Sequence, residues 1–117
     1  MNKGPEEALI YSKLFWPDLI EVDGFVFLAE NYDREYYDQV VRDYGASQVE
    51  ETINTTYLYN LVGGKGEYDT AVWEALGNTL CSIWKSRVRR QFPDKKVVVL
   101  FSWYTEIDDP GITLYQA

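Results

Sequence analysis

The sequence predicts an α+β fold: a mostly antiparallel sheet of about four strands in two hairpins, with about four helices, in the order α-β-β-α-α-α-β-β. Three observations carry that expectation. An Asp-Gly pair separates two β-rich runs near the N-terminus. An unbroken apolar run, Val97-Val98-Val99-Leu100-Phe101, precedes a turn signal near the C-terminus. Helical apolar spacing fills the region between them. With strands at both ends and helices in the middle, helices packed on one face of the sheet are the simplest arrangement.

Pro5, Glu6 and Glu7 open the first helix, over about residues 5 to 15, with proline in the first turn and acids at the positive end of the dipole. Ala8, Leu9, Ser12 and Phe15 or Trp16 recur at helical spacing, and Pro17 ends the helix by excluding the α conformation from the residue before it. Asp23-Gly24 then joins strands at about 18 to 22 and 25 to 29. Asp33 caps a second helix, about 34 to 44, whose apolar stripe is Tyr37, Val40, Val41 and Tyr44 and whose end is Gly45. Ser47-Gln48-Val49-Glu50 has capping-box spacing and predicts a third helix over about 48 to 61, with Val49, Ile53, Tyr57 and Leu61 inward. Gly63-Gly64-Lys65-Gly66 breaks the chain. Asp69 or Thr70 caps the longest helix, about 70 to 91, with Val72, Leu76, Leu80, Ile83, Trp84 and Val88 buried. The run from Val97 continues through Trp103-Tyr104 and reads as a strand covered on both faces, the second by the first helix, or as one central in a sheet, while Asp109-Pro110-Gly111 reads as a turn into a last strand over Ile112 to Tyr115.

A chain of 117 residues with 46% hydrophobic residues is one domain, 1–117, with enough apolar material for a core. Aromatics reach 16%, and Trp16, Trp73, Trp84 and Trp103 read as large core residues whose indoles find hydrogen-bond partners. The single cysteine, Cys81, excludes an internal disulfide and reads as a small core residue. The residues from Met1 to Glu7 contain no apolar core of a signal peptide, and no run approaches a membrane span, so the expectation is a cytoplasmic protein without membrane contact. Asn54-Thr55-Thr56 matches the glycosylation triplet, which has no meaning without export.

Histidine is absent, which removes Ser-His and Cys-His nucleophile pairs and the commonest transition-metal ligand. Glu21 with Asp23, or Glu106 with Asp108, could share a strand face, but carboxylate catalysis needs a cleft and a raised pKa that no pattern here announces. The run from Glu106 to Asp109 lacks EF-hand spacing, and Gly63 to Gly66 lacks the Ser or Thr of a phosphate loop. The expectation is no catalytic residues, no cofactor and no metal.

Charge is the more informative feature. The net charge is −8, which repels nucleic acid and attracts basic partners. Against that background, Lys85, Arg87, Arg89, Arg90, Lys95 and Lys96 cluster around one acid, Asp94. Cations there complement the helix C-terminus and flank a strand; no nucleic-acid reading motif accompanies them. Between Glu30 and Asp43, five acids interleave with Tyr32, Tyr36, Tyr37 and Tyr44. Carboxylates grip arginine bidentately, and tyrosine offers large contact area at low entropic cost. Asp33, Glu35, Tyr36, Asp38, Asp43 and Tyr44 are therefore the candidate docking residues for a basic protein. The competing reading is a solvated outer face, with Asp38 and Arg42 as an ordinary i, i+4 pair.

Leu14-Phe15-Trp16-Pro17 running into Ile20-Glu21-Val22-Asp23-Gly24-Phe25-Val26-Phe27-Leu28, with Phe92-Pro93 and Ile112-Thr113-Leu114-Tyr115-Gln116 later, resembles a core shared by small uncharacterised bacterial proteins. In size and acidity the chain also resembles immunity proteins of bacterial polymorphic toxin systems, small domains that occlude a toxin. That resemblance implies an inhibitor of a basic toxin or nuclease, and it assigns no residues. The alternative is a small regulatory domain that binds a small ligand or associates with itself.

Overall fold

Between the two ends of the chain, two antiparallel sheets share a layer with helices on both sides. The computed structural model describes residues 4–59, 69–104 and 109–117, without the side chains of residues 7, 8, 10, 11 and 104. Its elements are α1 (Pro5–Phe15), β1 (Leu19–Val22), β2 (Phe25–Leu28), α2 (Arg34–Tyr44), a 3-10 turn (Ala46–Gln48), α3 (Val49–Asn54), β3 (Thr56–Tyr57), α4 (Thr70–Gln91), β4 (Val97–Tyr104) and β5 (Asp109–Gln116). The fold is α+β, as the sequence predicts. The strands form a two-stranded sheet, β1-β2, and a three-stranded sheet, β3-β5-β4.

Local chemistry set the elements it was expected to set. Pro5 stands in the first turn of α1. Asp23 and Gly24 take φ of 53° and 86°, both positive, as a two-residue hairpin requires. The carboxylates of Asp33 and Asp69 cap α2 and α4 by accepting from the Tyr36 and Val72 amides.

Two apolar clusters lie on opposite sides of the β1-β2 hairpin. On one side, Leu19, Val26 and Leu28 join Val99, Ile112 and Leu114 in facing Trp73, Leu80, Cys81, Trp84 and Val88 of α4. On the other, Phe27 packs with Tyr37 and Val40 of α2 and with Val49 and Ile53 of α3. Each alternate residue of β2 thus enters a different cluster, as the pleat dictates. Helices therefore flank both faces of the β1-β2 hairpin, α4 on one and α2 with α3 on the other.

A seam joins the two sheets. Asn54, fully buried, accepts from the Leu28 amide at 2.9 Å and donates to the carbonyls of Val26 at 2.8 Å and Leu114 at 3.1 Å. Glu50 sits one helical turn earlier and is 7% exposed; its carboxylate accepts from the Val26 amide at 2.8 Å, the Gln116 amide at 2.9 Å and Gln116 Nε2 at 2.6 Å. These two side chains of α3 stand where a further strand would lie, and they satisfy backbone groups of β2 and β5 that a buried site cannot leave unpaired. The expected capping box is thus absent: Gln48 precedes α3 without a side-chain cap, and Glu50 reaches the strands instead. The glycosylation triplet, with its asparagine buried, is structural.

Other expectations are corrected as well. The third helix ends at Asn54, because Thr55 is extended and Thr56 and Tyr57 pair with Ile112 and Gly111; Leu61 and Gly63 to Gly66 lie outside the described residues. In α4, Leu80, Trp84 and Val88 are buried as predicted and Leu76 and Ile83 are half-buried, but Val72 is 51% exposed and Trp73 is buried in its place. In α1, Leu9 and Phe15 are exposed, as is Trp16 at its C-cap, and among the described side chains of the helix Leu14 meets the core. Asp109, Pro110 and Gly111 belong to β5, paired with Tyr104, Trp103 and Ser102, rather than to a turn. Among the described residues β4 is the edge strand of its sheet, with Leu100 43% exposed, rather than central or covered on both faces.

Candidate functional site

The predicted docking residues all lie on α2 or at its cap, and the helix turns them to different uses. Tyr37, Val40 and Val41 face the second cluster, where the Tyr37 ring meets Phe27 edge-on at 5.8 Å. Tyr37 and Tyr32 are thereby taken inward, and Tyr32 lies 5.3 Å from Phe27. The Tyr37 hydroxyl donates to Asp23 at 3.0 Å, and burial, followed by that carboxylate, pushes its pKa up. Tyr44, counted on the inward stripe, is instead 69% exposed, because α2 ends there and nothing covers the position among the described residues. Tyr36 is 41% exposed.

The acids divide in the same way. Asp33 is occupied by the helix cap, at 2.9 Å from the Tyr36 amide. Asp38 pairs with Arg34 at 3.3 Å rather than with Arg42, which approaches Asp43 at 3.8 Å. Arg34 also reaches Asp23 at 3.5 Å and lies over the Tyr37 ring at 4.9 Å. These pairs are solvated and contribute little to stability. Glu35 carries no ion pair among the described residues. The outward face of α2 therefore presents Glu35, Tyr36 and Asp43, with Tyr44 at its end; Tyr36 and Asp43, seven residues apart, lie on one line along the helix.

Glu21 is paired with Lys95 at 2.8 Å, and Asp23 serves the hairpin turn and Tyr37. Glu106 and Asp108 lie outside the described residues. No group of three or more metal-ligating side chains occurs among the described residues. A cleft beside Trp84, lined by Lys13, Asp18, Glu30 and Asn31 among others, offers about 40 Å³, room for little more than water. None of the described helices is long and apolar enough to cross a membrane.

Comparison with protein-family models, with curated proteins and with solved structures finds no match to this chain. Its own residues carry the functional argument.

Cys81 is 7% exposed, and burial pushes its thiol pKa up, against a smaller opposing influence of Lys85. A maleimide or disulfide reagent is expected to label it in the native protein about a hundredfold or more slowly than in denaturant, because reaction must await opening of the α4 packing. Labelling at equal rates in both states would mean that the helix does not seal the thiol.

The six clustered bases separate into two groups. Arg87 Nε donates to the Pro17 carbonyl at 2.9 Å, and Arg87 and Arg90 stack on the Trp16 ring at 5.4 and 6.0 Å. Trp16 is thus a half-exposed platform for cations, not the core residue expected. Trp84 donates to the Leu14 carbonyl at 2.8 Å, whereas Trp103 Nε1 has no acceptor among the described residues. Lys95 is tied to Glu21 and to the Gly24 carbonyl. Lys85, Arg89 and Lys96 instead line a groove beside β4, which sequence reasoning did not foresee as a site; the unbroken apolar run next to a basic cluster was its only signal.

Proposed function

We propose that the chain is a non-enzymatic protein-binding domain of the cytoplasm, of the kind exemplified by immunity proteins, and that it docks a basic partner such as a toxin nuclease on the outward face of α2. The observation that carries the reading is the exposure of two tyrosine rings, Tyr36 and Tyr44, together with Glu35 and Asp43 on one short helix. Large rings held by a rigid helix supply contact area at low entropic cost, and flanking carboxylates steer a cationic partner and accept bidentate arginine. Net charge adds a long-range attraction to basic surfaces.

The reading is tested by reversing Glu35 and Asp43 to lysine together and truncating Tyr44 to alanine. All three side chains are exposed, so folding stability is expected to change by no more than about 0.5 kcal/mol each. The purified protein, used as bait on host extract, should retain a basic protein whose affinity falls about tenfold or more in the charge-reversed variant and weakens with salt. Recovery of the same protein at equal affinity by both baits, or of none, would remove α2 as the docking face.

A further inference from the structure

The outer edge of β4 offers a second, chemically opposite surface. We propose that it receives an acidic, extended segment of a partner protein as an added β-strand, with the carboxylates of that segment held by Lys85, Arg89 and Lys96.

β4 is the terminal strand of the order β3-β5-β4 and is eight residues long, a span of about 27 Å. Its inner edge is fixed by the ladder to β5: the Ala117 amide donates to the Lys96 carbonyl at 2.9 Å, and the register then pairs Val98 with Tyr115 and Leu100 with Thr113. By the alternation of an antiparallel ladder, Val97, Val99, Phe101 and Trp103 turn their amides and carbonyls away from β5. No strand of the described residues pairs with that edge. Edges of this kind are usually protected by a charge, a proline or a bulge within the strand, and residues 97 to 104 contain neither a charged residue nor a proline.

The groove between this edge and α4, about 520 Å³, is lined by Lys85, Val88 and Arg89 of α4, by Lys96, and by Val97 to Leu100. Lys85, Arg89 and Lys96 form no ion pair with a carboxylate of the described residues, in a chain whose net charge is −8. Charge complementarity selects the occupant. On an added strand, the side chains on the α4 side would lie beside Val97 and Val99 and meet Lys85 and Arg89; those on the other side would lie beside Val98 and the exposed Leu100. The fitting segment alternates acidic and apolar residues. Main-chain hydrogen bonds would supply the affinity and the cations the selection.

The probe is a fluorescein-labelled octapeptide of alternating glutamate and valine, titrated with the full chain and read by anisotropy. Saturable binding is expected, with affinity reduced at least tenfold in the variant Lys85→Glu/Arg89→Glu, whose exposed substitutions leave the circular dichroism unchanged. The same peptide with its amides N-methylated, and a lysine-valine counterpart, should not bind. Equal binding of the N-methylated peptide would reduce the effect to charge alone and overturn strand addition. Displacement of the probe by a short oligodeoxynucleotide would assign the groove to phosphate, and a sedimenting dimer that excludes the probe would assign the edge to a second copy; either result overturns the proposal. This surface is separate from α2, so its failure leaves the docking reading of that helix untouched.

Discussion

Replacing Asn54 by alanine is expected to destabilise the protein by about 4 kcal/mol, a large share of the roughly 5–15 kcal/mol that holds a domain of this size together. The side chain is fully buried and satisfies one amide and two carbonyls on two different strands. Alanine removes the side-chain partner of all three groups. Asn54→Asp should be no milder, since a carboxylate oxygen would then face the Val26 and Leu114 carbonyls in place of an amide donor. Glu50→Ala is expected to cost about 3 kcal/mol by the same reasoning, through the amides of Val26 and Gln116. Because both residues bind Val26 and close the same seam, the double variant should lose less than the sum of the two single losses, by about 1 kcal/mol. Urea denaturation monitored by tryptophan fluorescence measures all of these values. An Asn54→Ala midpoint close to that of the parent protein would mean that the two sheets hold together without the α3 bridge.

Gly77→Ala is the second large effect, and its sign runs against helix propensity. In an exposed helix interior the change would stabilise by about 1 kcal/mol. Gly77, however, lies where α4 crosses β4, and a methyl group there would meet the Phe101 ring, with Cγ at 2.8 Å and the ring carbons Cδ2 and Cε2 closer still. The ring cannot simply swing aside, because it is packed against the α4 side of the core and near Trp103. The helix must lift or the ring must leave its rotamer, so a net loss of about 2 kcal/mol is expected. The decisive comparison uses Phe101→Ala as background. With the ring removed, Gly77→Ala should become neutral or stabilising. A loss of equal size in both backgrounds would locate the cost elsewhere in the helix.

These two sites also mark where sequence reasoning stops. Glu50 had the spacing of a capping box, but its carboxylate bonds to an amide 24 residues earlier and another 66 residues later. Asn54 read as part of a glycosylation triplet, and Gly77 carried no signal of its own within the helix predicted over 70 to 91. Nothing within four or five residues of any of them reports the partner that decides its role. The α2 surface was partly legible: charge and aromatic content pointed to the helix, and helical phase separates Tyr36 from Tyr37. The removal of Asp33 and Asp38 into a cap and an ion pair, and the exposure of Tyr44 at the helix end, depended on neighbours brought in by folding.

Local chemistry in the sequence was sufficient for the elements themselves. Proline in the first turn, aspartate caps and an Asp-Gly turn act within a few residues, and α1, α2, α4 and the β1-β2 hairpin stand where those signals place them. Tertiary structure alone decided the rest: the division into two sheets, the side-chain seam between them, the close crossing of α4 over β4, and which edge and which rings remain exposed. The physical reason is range. A cap or a turn is satisfied by its own neighbours in the chain, whereas a buried amide, a missing Cβ or an open strand edge acquires its meaning only from residues that folding delivers from far away.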